Sequence, residues 1–165
     1  DDTAPTLSIN DASVVEGNTG TTNLVFTVTR TGLTELPATF TATTTDGTAS
    51  APSDYLAALA GSTSIAAGGA TGTTTLTATI NGDAVVEPNE TFFVGLTSAA
   101  NATVADSQGV GTITNDDTAG VTVVQSDGNT AVTEGGATDT YTLVLTSQPT
   151  ANVVVNVASG TQLST

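Results

Sequence analysis

The sequence predicts an all-β chain, built as a seven-stranded antiparallel β-sandwich followed by the opening of a second, related one. Three observations predict it. Threonine makes up roughly 23% of the residues, far above ordinary usage. Together with abundant valine it favours pleated strands over helices. Short alternations of apolar and polar residues recur along the chain, and glycine punctuates them about every ten residues.

The strands are expected in the following order. The first lies near 6–9 and continues irregularly towards 15. The second covers about 22–31, with Leu24, Phe26 and Val28 on one face, and the third about 38–45. A short fourth lies near 62–66. The fifth covers about 73–80, with Leu76 and Ile80 inward, and the sixth about 90–98, with Phe92, Val94 and Leu96 inward. The seventh covers about 108–114. Seven short strands at this spacing fit a two-sheet sandwich of the immunoglobulin-like kind.

The chain also contains its own repeat. It begins DDTAPTLSI, and DDTAGVTV recurs at 116–123. Downstream, SVVEGNTG at 13–20 is answered by AVTEGGAT at 131–138. NLVFTVTRT at 23–31 is answered by YTLVLTSQP at 141–149, and ATFTATTTDG at 38–47 by NVVVNVASG at 152–160. Ordered landmarks at a near-constant offset mark a tandem array. Residues 1–2 are read as the tail of a preceding repeat, 3–117 as one complete domain, and 118–165 as the N-terminal part of the next, with about three strands. The chain is expected to be an excerpt of a longer protein whose neighbouring repeats are its first partners.

Sixteen acidic residues face a single basic one, Arg30, for a net charge of −15. Nucleic acid is excluded as a partner, because phosphate contacts need lysine and arginine. No apolar run is long enough to cross a membrane, so direct membrane insertion is not expected. Cysteine, histidine, methionine, tryptophan and lysine are absent. That removes disulfides, imidazole zinc sites, Ser-His-Asp triads and Schiff-base lysines. No enzyme is expected. With one arginine and no lysine the chain offers little to trypsin-like proteases, which suits an extracellular or cell-surface location.

The acids are not spread evenly. DAVVEPNETF, at 83–92, places Asp83, Glu87 and Glu90 within eight residues, with no lysine or arginine nearby. If successive strands run antiparallel, alternate connections share one end of the sandwich. Glu16 then lies at the same pole as Asp46, Asp54, Asp83, Glu87, Glu90, Asp116 and Asp117, and Asp11 lies on the same path. Glu35 and Asp106 fall at the other pole. Converging carboxylates repel one another and raise each other's pKa values. A hard divalent cation resolves the conflict. Ca²⁺ takes six to eight oxygens in flexible geometry, whereas Mg²⁺ keeps its waters and prefers fewer protein ligands. The bland reading of the same residues is a solvated acidic loop.

Six ordered motifs over residues 6–117 carry a family resemblance. They are V-x-E-G at 14–17, F-T-V-T-R-T-G at 26–32, T-D-G-T-A at 45–49 with S-D-Y at 53–55, D-x-x-x-E-x-N-E-T-F at 83–92, G-x-G-T-I at 109–113 and N-D-D at 115–117. The chain resembles Calx-β domains, seven-stranded sandwiches found in sodium/calcium exchangers, in integrins and in tandem arrays of bacterial surface proteins. The resemblance implies Ca²⁺ ligation by Glu16, Asp54, Asp83, Glu87, Glu90, Asp116 and Asp117, with the Val85 carbonyl as an addition. Asp46 would be structural, in the D-G-T turn. Asn81 and Gly82 stand where acids often precede Asp83, and Asn115 replaces the first of three terminal aspartates. Both departures remove charge, and about two ions are expected. In the second segment only Glu134 has a counterpart, Glu16, and no site is assigned there.

The expected function is a non-enzymatic, Ca²⁺-binding structural repeat of an extracellular adhesin stalk or fibre, with Ca²⁺ stiffening the inter-domain joint. The alternative is a filament subunit that self-assembles by exchange of β-strands between chains. Ca²⁺ sensing, as in the exchangers, ranks below both. Tyr55 is read as a packing residue with its hydroxyl on backbone, and Arg30 as a strand-end or surface charge. No exposed aromatic platform points to carbohydrate.

Overall fold

A computed structural model describes residues 4–132, 135, 136 and 138–157. The chain divides into two compact units, Asp1–Asp117 and Thr118–Thr165. The first carries β1 (Thr6–Ile9), β2 (Ala12–Val15), β3 (Gly20–Thr31), β4 (Ala38–Asp46), β5 (Ala60–Gly61), β6 (Ser64–Ile65), β7 (Thr71–Gly82), β8 (Glu90–Ala100), β9 (Thr103–Val104) and β10 (Gln108–Thr114). They form two five-stranded sheets, in the orders β5-β7-β3-β1-β9 and β2-β10-β8-β4-β6. Each of the seven expected positions holds a strand, but the unit carries ten, with β9 unforeseen.

Alternation drives this packing. The buried residues of β3 are Leu24, Phe26, Val28 and Arg30, and those of β7 are Leu76, Ala78 and Ile80. Phe92, Val94 and Leu96 of β8 answer them from the other sheet, with Phe40 and Ile113. Phe26 meets Phe92 edge-on, with ring centroids 6.1 Å apart. Tyr55 stacks on the other side of Phe92 at 4.2 Å. Aromatic rings favour these offset and edge-on arrangements.

Three features differ from expectation. The first strand is two strands in different sheets: β1 pairs with β3, and β2 with β10. The switch is made by side chains that replace ladder bonds. Asn10 Oδ1 accepts from the Thr27 amide at 2.5 Å, and Asp11 Oδ1 accepts from the Val110 amide at 2.8 Å. The switch also makes two pairings parallel, β1 with β9 and β2 with β10. The fourth strand is likewise split, β5 joining β7 and β6 joining β4.

Arg30 is the third difference. It stands at the strand end, one residue before the last of β3, but it is 1% exposed and not at the surface. Its guanidinium donates to the carbonyls of Gly32 at 2.6 Å, Gly68 at 2.5 Å and Gly69 at 3.3 Å, while Nε has no partner. Three carbonyl dipoles replace the missing carboxylate, which is how a charge can be buried without a salt bridge.

In the second unit, β11 (Val121–Gln125) and β12 (Tyr141–Leu145) pair antiparallel, Val121 opposite Leu145 and Gln125 opposite Tyr141. Residues 151–157 form no strand. Asp139 fixes the connecting loop: its carboxylate accepts from the Ser126 hydroxyl and from the Ala131 and Thr140 amides, and these bonds lower its pKa. Asp1, Asp2 and Glu134 lie outside the described residues. No helix among the described residues is long and apolar enough to cross a membrane.

Candidate metal centre

The acidic residues gather where β3 and β7 end together, at the Gly20–Gly82 pair. Two groups of carboxylates form there. In the first, Glu16, Asp116 and Asp117 bring one oxygen each within 4.8 Å of one another. In the second, Asp54, Glu87 and Glu90 do the same.

The first group is set by the turn between β2 and β3 and by the residues that follow β10. The Glu16 amide donates to the Thr114 carbonyl at 3.2 Å, extending the β2–β10 pairing by one residue. Its own carbonyl accepts from the Thr22 hydroxyl at 3.0 Å. The Gly17 amide donates to Asp116 Oδ1 at 3.1 Å. Asn18 Nδ2 donates to Asp117 Oδ1 at 2.5 Å. Glu16 and Asp117 are buried, 6% and 5% exposed, and Asp117 Oδ2 has no hydrogen-bond partner among the described residues. Burial is the main reason that the Glu16 pKa rises to about 7; the charges of Asp83, Glu87, Asp117 and Asp116 push it the same way.

The second group joins the connection after β4 to the approach to β8. Gly47 seats the D-G-T turn: a Cβ there would overlap the Thr91 carbonyl. The Ala49 amide donates to that carbonyl at 2.9 Å, and the Thr91 amide donates to Thr48 Oγ1 at 2.8 Å. Asp54 closes the next turn, accepting from the Ser50 amide at 2.7 Å. Asn81 ties that turn to β7, donating to the Pro52 and Ser53 carbonyls at 2.8 and 2.7 Å. Desolvation, then the Asp54 carboxylate, raises the Glu90 pKa to about 7, and desolvation with Asp83 and Asp54 raises that of Glu87.

Asp83 belongs to neither group, but its charge acts on both Glu16 and Glu87. Its Oδ1 accepts from the Val85 amide at 2.7 Å, so Val85 is fixed beside it. Asp11 is drawn away to the strand switch, where it accepts from Val110. Asp46 also stands apart. It accepts from the Tyr55 hydroxyl at 2.5 Å and the Ala51 amide at 3.1 Å, which lower its pKa. The Tyr55 hydroxyl thus bonds a carboxylate and not backbone, while its ring packs as expected. Sequence reasoning took Asn81 only as a lost charge, and missed Asn18 and also Asn89, whose Oδ1 accepts from the Asn115 amide at 3.1 Å. Polar turn residues carry no pattern that marks them.

No cation balances either group. Arg30 lies eight residues along β3 from Thr22, about 27 Å at the rise of an extended strand. The carboxylates therefore either hold protons or hold a cation from solution. The orphaned Asp117 oxygen fits a hard metal ion, which accepts only oxygen ligands of this kind.

No curated protein matches the sequence. Solved structures do. The apo-form Calx CBD1 domain is 21% identical, with a TM-score of 0.57 over 70% of this chain and 100% of that one. CBD12 from CALX1.2 is 16% identical, with a TM-score of 0.56 over 86% of this chain and 71% of that one. The structure described as calcium binding domain CBD12 of CALX1.1 is 22% identical, with a TM-score of 0.56 over 73% of this chain and 48% of that one. At these identities the likeness establishes a shared fold. The family model for the Calx-beta domain matches residues 1–127, and the chain belongs to the Calx-beta domain family.

Proposed function

We propose that the first unit binds Ca²⁺ through its two carboxylate groups, about one ion in each. The ligands are Glu16, Asp116 and Asp117 in one and Asp54, Glu87 and Glu90 in the other, with Asp83 and the Val85 carbonyl between them. The observation that carries this reading is the buried Asp117 oxygen with no partner, beside a buried glutamate in a group without a cation. An unpaired buried carboxylate oxygen is costly, and a cation removes the cost. The CALX1.1 structure, a relative in fold, is described as a calcium binding domain.

Asp116 and Asp117 are the last residues of the first unit, and Thr118 opens the second. An ion held there ties the exit strand to Glu16. Ca²⁺ thereby stiffens the boundary between repeats, and the protein serves as a non-enzymatic repeat of an extracellular or surface-displayed stalk or fibre. Calorimetric titration of the chain tests the metal reading: Ca²⁺ binding that Glu16→Gln and Glu87→Gln each reduce is expected, and no heat of binding would overturn it. Small-angle scattering of several linked repeats tests the stiffening, which equal flexibility with and without Ca²⁺ would contradict.

A second reading rests on the second unit. Val121, Val123, Tyr141, Leu143, Val155 and Val157 line an open apolar cavity of about 510 Å³. All residues of β11 and β12 are solvent-exposed. Among the described residues this sheet has two strands, and an apolar sheet whose edges are open recruits strands from another chain. Ca²⁺-independent filaments in electron micrographs of the purified chain would favour this assembly, and a monomer at all concentrations would exclude it.

A further inference from the structure

The end of β7 holds a residue that the ligand set does not include. Gly82 closes the β3–β7 ladder opposite Gly20. A Cβ on Gly82 would overlap the Gly17 carbonyl oxygen and lie 2.8 Å from that of Glu16. Its backbone φ is not in the left-handed region, so glycine is not needed there for conformation. It is needed for space.

We propose that Gly82 is the positioning residue of the Glu16–Asp116–Asp117 group, and that the group forms because the Glu16–Gly17 turn rests directly on its bare backbone. The proposal rests on the Ca²⁺ reading of this group. The turn is held from three sides. Glu16 N donates to Thr114 O, Thr22 Oγ1 donates to Glu16 O, and Gly17 N donates to Asp116 Oδ1. The fourth side is Gly82. A side chain there must push the Glu16 and Gly17 carbonyls off β7. The push would break the Gly17–Asp116 bond and withdraw the Glu16 carboxylate from its partners. A change of about 1 Å is enough to spoil a coordination shell whose distances are fixed within a few tenths of an ångström. The Asp54–Glu87–Glu90 group is seated by other bonds, from the Ser50 amide to Asp54 Oδ2 and from the Asn81 amide to the Asp54 carbonyl, and should be largely spared.

Calorimetric titration of the full chain with Ca²⁺ and amide hydrogen exchange without Ca²⁺ test the inference on Gly82→Ala. Gly20→Ala is the control: it strains the same turn through its φ of +78°, but its Cβ meets nothing within 4 Å. For Gly82→Ala, one ion is lost and the other keeps its affinity. Protection of the Glu16 and Gly17 amides falls on the order of tenfold or more, while β8 keeps its protection. Gly20→Ala lowers stability but retains both ions. If Gly82→Ala unfolds the domain, one glycine inserted after Gly17 releases the turn without altering β7, and is expected to lose the same ion. Unchanged ion count and unchanged protection in Gly82→Ala would overturn the proposal, as would equal weakening of both ions. If the unsubstituted chain binds no Ca²⁺, the metal reading fails, and the amide protection alone decides whether Gly82 seats the turn.

Discussion

The Asn18 side-chain amide donates to one oxygen of the Asp117 carboxylate, and the other oxygen is buried without a partner. Asn18 thus gives one oxygen of the carboxylate a donor and leaves the other without one. Replacing Asn18 by alanine removes the one donor that Asp117 Oδ1 has. A hydrogen bond of this kind contributes about 1–2 kcal/mol, so the melting temperature without Ca²⁺ is expected to fall by about 5 °C. The deficit should shrink when Ca²⁺ is added, because the ion takes over the carboxylate. Melting curves of Asn18→Ala in EDTA and in Ca²⁺ check this. A deficit that stays the same in both would show that the carboxylate binds no ion.

Stability should depend on pH in an unusual direction. Glu16 and Glu90 have pKa values of about 7 in the folded chain, against 4.5 as the ordinary value. The folded state therefore binds more protons than the unfolded one between those limits. Their contribution to stability is complete below about pH 4.5 and is lost as the pH rises through 7. Without Ca²⁺, denaturant midpoints are expected to fall between pH 5 and pH 8. With saturating Ca²⁺ the ionised forms are bound, and the midpoint should hold or rise over the same range. Glu16→Gln should flatten part of the ion-free slope. An ion-free midpoint that rises steadily from pH 5 to pH 8 would contradict the buried, cation-free arrangement.

Trypsin can cut this chain at one residue only, Arg30, which is 1% exposed within β3. Cleavage requires β3 to leave both β1 and β7, which is unfolding of the whole sandwich. When opening is fast relative to cleavage, the rate follows the population of the open state. One cut, after Arg30, is therefore expected, and each Ca²⁺ bound at about 100 times its Kd should slow it about 100-fold. Timed digestion followed by mass spectrometry checks both the site and the rate. Rapid cleavage in Ca²⁺ would contradict the burial of Arg30.

Tyr55 connects the core to the second carboxylate group. It stacks on Phe92, is fully buried, and is followed back along the chain at once by Asp54. Tyr55→Phe keeps the stack and loses only the bond to Asp46. Tyr55→Ala leaves a cavity and is expected to cost about 3–5 kcal/mol. It should also weaken Ca²⁺ at the Asp54 group while Tyr55→Phe leaves binding nearly intact. Denaturant titration and calorimetry of the two variants check the ordering.

The sandwich was legible in the sequence because it is built from alternation. Leu24, Phe26 and Val28, and then Phe92, Val94 and Leu96, face inward as their spacing requires. Arg30 continues the parity of Leu24, Phe26 and Val28, so its inward position was already written in the pattern. Its charge points the other way, since charges are seldom buried unpaired, and only three glycine carbonyls brought together by folding resolve the conflict. The strand switch at Asn10–Asp11 was not legible, since it depends on two side chains substituting for ladder bonds. Strand parity gathered the acids at one pole but could not divide them into two groups. That division depends on turns such as Gly17–Asp116 and Ser50–Asp54, whose bonds link residues by side chain. Asp46 stood at the right pole too, and only the Tyr55 hydroxyl shows why it is not among the clustered acids.

Ca²⁺ in the two carboxylate groups is the proposal on which the rest depends. Thermal unfolding of the full chain tests it most directly, first in EDTA, then with Ca²⁺ or Mg²⁺ added, and again with Glu87 and Glu90 both changed to glutamine. Each site at about 100 times its Kd adds about 2.7 kcal/mol, roughly 10 °C for a domain of this size, so two occupied sites add about twice that. The account predicts a rise of that order with Ca²⁺, a smaller one with Mg²⁺, and only a partial rise in the double variant, in which the Glu16 group survives. An unchanged melting temperature at millimolar Ca²⁺ would contradict it and would leave the acids as a solvated, proton-sharing pole.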